Sequence, residues 1–138
     1  MSMPGLRFSH VAFRVADIER SLAWYKAVFG AELVCHVPAV GPKPEYFYAE
    51  FRPGQMVEFF TGGTGQPERT ANASGFEHFS LIVDDIHAAI AHLQATGANI
   101  TRPYFEGRAG QKVVFVADPD GNTIELMELL PDSPIYRA

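Results

Sequence analysis

At 138 residues the chain is long enough for one compact domain with a real core and too short for two of ordinary size. A hydrophobic fraction of 47% with 20% charged residues argues against a disordered chain, and no apolar run approaches the roughly 20 residues that a bilayer requires. No membrane partner is therefore expected, and the net charge of -5, with Lys and Arg scattered, argues against nucleic acid as a partner and for a small molecule. The opening Met1-Ser2-Met3-Pro4-Gly5 has neither a basic nor an apolar stretch, so no secretion signal is read and a cytoplasmic location is expected. Cys35 stands alone, which leaves no internal disulfide or thiolate cluster. Beside Val34 it is expected to be a buried structural thiol.

Alternation from Phe8 to Val15 predicts a first strand. Asp17 then stands at the N-cap of a helix whose apolar stripe is Ile18, Leu22, Tyr25 and Phe29, and Gly30 suits its left-handed stop. Strands are expected over Glu32 to Val37, Tyr46 to Phe51 and Val57 to Phe60, with a loop from Pro38 to Pro44. Residues 62–75, rich in Gly and small polar side chains, read as a linker. The pattern then repeats. A strand over His78 to Val83 precedes the cap Asp85, a helix with Ile86, Ile90 and Leu93 on its stripe, and the stop Gly97. Further strands are expected at about Asn99 to Arg102, Lys112 to Ala117 and Thr123 to Glu128, with Pro103 to Gln111 as a loop. The expected fold class is α+β, a single domain of two βαβββ modules: module one over 6–61, the linker, module two over 76–130 and a tail over 131–138.

The modules are related by sequence. His10 aligns with His78, Val15 with Val83, Asp17 with Asp85 and Ile18 with Ile86; after a one-residue slip, Glu58 aligns with Glu125. Side chains alternate across a strand, so His10, Ala12 and Arg14 share one face against Val11, Phe13 and Val15. Met56, Glu58 and Phe60 likewise oppose Val57 and Phe59, His78 and Ser80 oppose Phe79 and Leu81, and Glu125 opposes Ile124 and Leu126. The helices must cover the apolar faces, which leaves each His and Glu on the other, concave side. Imidazoles and carboxylates are poor strand residues, and their recurrence at matching positions points to a shared task. His10, Glu58, His78 and Glu125 are therefore read as ligands of one divalent metal ion, with Zn, Ni, Co, Mn and Fe all compatible. His36, His87 and His92 have no counterpart and are expected at the surface.

The paired modules, the opening stretch from His10 through Arg14, Val15, Asp17, Ile18, Ser21 and Leu22 to Trp24-Tyr25, and the closing Asp118-Pro-Asp-Gly-Asn-Thr-Ile-Glu125-Leu resemble the vicinal oxygen chelate superfamily. That superfamily includes glyoxalase I, extradiol dioxygenases and bleomycin-resistance proteins, and the resemblance spans about residues 6 to 130. It implies a concave, U-shaped mixed sheet with the helices on its outer face. Within it the two-His, two-Glu set looks most like glyoxalase I. The resemblance further implies a lyase or isomerase acting on a small α-hydroxycarbonyl or thiohemiacetal substrate through a metal-stabilised enediolate, with Glu125 or Glu58 as the catalytic base. Arg14 falls where that family holds glutathione. In many glyoxalases an Asn stands four residues after the first ligating Glu; here that residue is Gly62, which weakens the case for glutathione and leaves the metal set untouched. Arg108, in the expected second-module loop, and Lys112, immediately after it, are candidate receivers of a substrate carboxylate.

Two alternatives stay open: an Fe²⁺ extradiol-type dioxygenase using His10, His78 and Glu125, and a non-catalytic small-molecule binding or resistance protein. A ligating Glu58 argues against the first, and four retained ligands argue against the second. Aromatics expected to be exposed, Trp24, Tyr46, Tyr48 and Tyr104, suggest a homodimer, with the modules paired within one chain or across two.

Overall fold

The computed structural model describes residues 3–68 and 70–136. Its elements run β1 (His10–Arg14), α1 (Ile18–Phe29), β2 (Glu32–Val37), β3 (Tyr46–Arg52), β4 (Gln55–Phe60), β5 (Phe79–Ile82), α2 (Ile86–Thr96), β6 (Asn99–Gly107), β7 (Gln111–Ala117) and β8 (Thr123–Leu129). The βαβββ order thus occurs twice. The chain divides into two compact units, Met1–Gly65 and Gln66–Ala138. Each carries a four-stranded mixed sheet, ordered β1-β4-β3-β2 in the first and β5-β8-β7-β6 in the second. In each unit the first strand pairs parallel with the last, and the remaining neighbours are antiparallel.

The helices begin and end where the sequence pattern puts them. Asp17 accepts the Arg20 N–H, Asp85 accepts those of His87 and Ala88, and both caps have extended backbones. Gly30 and Gly97 close the helices at φ 70° and 73°, a left-handed conformation that most side chains resist. The α1 stripe is wider than expected, since Ser21 and Val28 are buried along with Tyr25. Tyr25 is fully buried with its ring 5.0 Å from that of Phe59, so α1 covers the Val57 and Phe59 face of the first sheet. Burying a side chain of that size stabilises a fold by about 1.5–3 kcal/mol. In the second unit, α2 packs on β7 and β8, and Ile86, Leu93, Val114, Val116, Ile124 and Leu126 are buried. Among the described residues, no helix is long and apolar enough to cross a membrane.

Three local expectations need correction. β6 continues to Gly107, so Pro103 to Gly107 form strand rather than loop. The strand lies at the sheet edge, where a proline's missing N–H costs no ladder bond, and its pairing slips between Arg102 and Phe105. Cys35 is exposed rather than buried, because β2 is the outermost strand of its sheet and is exposed along all of its length but Val37. Trp24, Tyr46 and Tyr48 are half-buried, Trp24 against the Tyr25 and Phe29 rings; only Tyr104 is exposed as expected.

The Asp85 carboxylate serves two helix N–H groups. Asp85→Ala is expected to lower stability by about 1 kcal/mol, measured by urea unfolding; an unchanged midpoint would contradict the cap.

Candidate metal centre

The site residues of the first unit are placed by the parallel ladder. β1 and β4 are in register with Ala12 beside Glu58 and Arg14 beside Phe60, and β3 adds Tyr48 on the other side of Glu58. Side chains in register share a face, so His10, Glu58, Tyr48 and Arg14 lie together, opposite the face that α1 covers. His10 Nε2 is 3.4 Å from Glu58 Oε1. The Glu58 side chain is almost enclosed, while His10 is about a third exposed. His10 is oriented from both ends: Nδ1 lies 2.9 Å from the Ser9 hydroxyl, and the ring meets that of Tyr48 edge to face with centroids 5.4 Å apart. The Tyr48 phenol is pushed up to about 12, first by its hydrogen bond to the Glu58 carboxylate and then by burial.

The second unit repeats the arrangement. β5 and β8 place Ser80 beside Glu125, and β7 places Phe115 on its other side. His78, immediately before β5, has Nε2 3.8 Å from Glu125 Oε1. Its ring meets Phe115 edge to face at 5.2 Å. The Ser80 hydroxyl donates to Glu125 Oε1 at 2.8 Å. Among the described residues, no set of three or more His, Cys, Asp or Glu side chains is gathered as a metal site; each unit presents a pair.

The pairs fit a cation. Two donors each about 2.0–2.2 Å from one ion lie at most about 4.4 Å apart, and both His–Glu separations, 3.4 and 3.8 Å, are within that limit. Both exceed the span of about 2.7–3.2 Å typical of an N–H···O hydrogen bond, so the two groups do not fully satisfy each other. The other ring nitrogen, His78 Nδ1, is buried without a hydrogen-bond partner, with Glu77 Oε1 3.9 Å away, and takes no part in the pair. A neutral imidazole facing a carboxylate is also the donor chemistry that first-row divalent ions accept.

Of the expected substrate contacts, only Arg14 shares a face with a ligand pair. Its Nη1 donates to the Thr61 carbonyl at 2.8 Å, and its guanidinium lies 5.5 Å from the Phe60 ring centre. Lys112 lies in β7, which begins one residue earlier than expected, in register with Glu128. The alternation turns it to the face opposite Glu125, where Nζ is 3.4 Å from Glu128 Oε2. Arg108 lies in the exposed turn between β6 and β7, which the tail braces through the Ser133 hydroxyl on the Ala109 carbonyl. His36, His87 and His92 are at the surface. Tyr48, Ser80 and Phe115 are site residues that the sequence pattern does not single out. Ser80 has a signal, since it shares a strand face with His78; Tyr48 and Phe115 need the antiparallel register, which no sequence pattern supplies.

The comparisons with known proteins agree with this architecture. Residues 7–126 match the family model of the Glyoxalase/Bleomycin resistance protein/Dioxygenase superfamily. The chain belongs to that superfamily. Among relatives, the lactoylglutathione lyase of Haemophilus influenzae is 30% identical over 129 residues, covering 89% of this chain and 93% of its own length. That of Salmonella typhimurium is 31% identical over 131 residues, with the same coverage. Lactoylglutathione lyase GLX1 of Arabidopsis thaliana is 31% identical over 137 residues, but this chain spans only 45% of it. A glyoxalase family protein from Enterococcus faecalis shares the fold with a TM-score of 0.78 at 24% identity, over 91% of this chain and 100% of that one. An E144Q mutant of glyoxalase I from Zea mays does so with a TM-score of 0.72 at 24% identity, over 88% and 44%.

Glu128, like Lys112, belongs to the helix face: its Oε1 accepts the Ile86 N–H at the start of α2. Glu128→Ala strands that donor and is expected to cost about 1–3 kcal/mol, against at most about 1 kcal/mol for Lys112→Ala. Urea unfolding of the two variants measures the difference, and equal or reversed losses would contradict this assignment.

Proposed function

We propose that this superfamily member is a metal-dependent lyase or isomerase of the glyoxalase I type, acting on a small α-hydroxycarbonyl or thiohemiacetal substrate. The observation that carries the reading is the His–Glu pair repeated in both units on the sheet face away from the helix, in a chain about 30% identical to bacterial lactoylglutathione lyases. Two donors are too few for a stable protein metal site, which generally takes three or four protein ligands. His10 and Glu58 therefore act together with His78 and Glu125 on one divalent ion. The four ligands come from one chain or from two chains of a homodimer.

When bound, the ion supplies Lewis-acid polarisation of two neighbouring substrate oxygens. The chain's own residues do the rest. One carboxylate, Glu58 or Glu125, takes the proton from the hydroxyl-bearing carbon and returns it to the adjacent carbonyl carbon, while the hydroxyl proton passes to the former carbonyl oxygen, so the product is an isomer with no net redox change. Arg14 keeps guanidinium donors beyond the one given to Thr61 and receives a substrate carboxylate on the same face as Glu58. Every step is a proton transfer or an ionic contact.

The test is metal content and turnover of the methylglyoxal–glutathione hemithioacetal by the parent protein, Glu58→Gln and Glu125→Gln. The parent is expected to hold one equivalent of metal and turn over, with both variants losing metal and activity falling about 10²–10⁴-fold. Metal kept in Glu58→Gln and lost in Glu125→Gln supports the dioxygenase set instead, and a metal-free parent overturns the reading.

Gly62 gives a sharper test of the substrate. It has φ 80°, and a Cβ added there would meet nothing within 4 Å; Asn tolerates that left-handed backbone better than most residues. Gly62→Asn is expected to fold and, if glutathione conjugates are the substrate, to raise kcat/KM on the hemithioacetal by roughly 2–10-fold, the worth of one added hydrogen bond. An unchanged kcat/KM in a folded, metal-loaded variant points to a substrate without the peptide portion.

A further inference from the structure

We propose that Tyr48 and Ser80 are matched positioning residues, each giving one hydroxyl hydrogen bond that holds the ligating carboxylate of its unit, Glu58 or Glu125. The inference rests on the metal-centre reading above. In the ladders, each Glu has one in-register neighbour on either side: Ala12 and Tyr48 flank Glu58, and Ser80 and Phe115 flank Glu125. Each carboxylate is given one hydroxyl and one apolar neighbour, but on opposite sides. Tyr48 on β3 stands in register beside Glu58, within hydroxyl reach of its carboxylate, and the Ser80 hydroxyl on β5 donates to Glu125 Oε1 at 2.8 Å.

The exchange separates two tasks. Tyr48 and Phe115 occupy matching positions, and their rings orient His10 and His78 in the same way, edge to face at 5.4 and 5.2 Å. The aromatic ring therefore serves the imidazole in both units. The hydroxyl serves the carboxylate, and it is carried by the ring residue in the first unit and by a separate serine in the second. A donor that recurs from different residues at different strands is not a relic of the repeat, because the repeated residues at those positions differ. Its effect is to hold the carboxylate in one rotamer, so that an oxygen is presented beside the imidazole rather than averaged over several orientations. Such outer contacts typically change metal affinity by about 10–100-fold.

The asymmetry supplies its own control. Ala12 stands beside Glu58 as Ser80 stands beside Glu125, and it is exposed enough to accept a hydroxyl. Ala12→Ser should therefore replace the donor lost in Tyr48→Phe, and Phe115→Tyr should replace the one lost in Ser80→Ala. The experiment is Zn²⁺ affinity of the full chain by competition with a chromogenic chelator, for the parent, both single variants and both double variants. The expected result is about 10–100-fold weaker binding in Tyr48→Phe and in Ser80→Ala, with most of the loss recovered in Ala12→Ser/Tyr48→Phe and in Ser80→Ala/Phe115→Tyr. Single variants that bind like the parent overturn the proposal and leave the metal centre standing. Losses that neither double variant recovers assign the effect to packing and also overturn it. A parent that takes up no Zn²⁺ fails the metal reading itself, and this proposal with it.

Discussion

The site depends above all on the parallel pairing of the first and last strand of each unit. Because side chains alternate, a slip of one residue between β1 and β4 would send Glu58 under α1 and bring Val57 or Phe59 to the ligand face. The apolar residues prevent this. Val57 and Phe59 are fully buried against the helix side, as are Ile124 and, nearly, Leu126 in the second unit. The core thus does more than stabilise the fold: by fixing which face is dry, it fixes which face carries the His and the Glu. A parallel pair needs a long crossover between its strands, and α1 and the β2–β3 hairpin make up that connection in the first unit.

With the faces assigned, the chemistry follows from how the polar residues are satisfied. Glu58 is a nearly enclosed carboxylate, and such a group is costly unless it is hydrogen-bonded or paired with a cation. The Tyr48 hydroxyl meets part of that need, and the imidazole at 3.4 Å is too distant to meet the rest. Glu125 is in the same position, with Ser80 at 2.8 Å and His78 at 3.8 Å. The remaining demand in each unit is for a positive charge within reach of both a nitrogen and an oxygen. The divalent ion of the proposed function would answer that demand, and the superfamily to which the chain belongs is the context of that proposal.

Much of this is legible in the sequence because it is written as periodicity. The alternation of His10, Ala12 and Arg14 against Val11, Phe13 and Val15 is visible without coordinates, as are the Asp caps and Gly stops that bound the observed helices. What the sequence does not show depends on lateral register. That Tyr48 adjoins Glu58, that Phe115 adjoins Glu125, and that Lys112 turns toward Glu128 all follow from how β3 and β7 align with their neighbours. Cys35 departs from expectation for a related reason: an apolar neighbour suggests burial, but edge position decides it. Pro103 suggests the end of a strand, whereas an edge strand accommodates it.

The measurement that bears most directly on the proposed shared ion is the coordination of Ni²⁺ or Co²⁺ bound to the protein, by X-ray absorption together with anomalous diffraction from crystals of the loaded chain. One ion per chain is expected, with two imidazole nitrogens and two carboxylate oxygens at about 2.0–2.2 Å, contributed by His10, Glu58, His78 and Glu125. Two separate ions, each held by one pair and water, or a single ion that leaves either pair free, would contradict it.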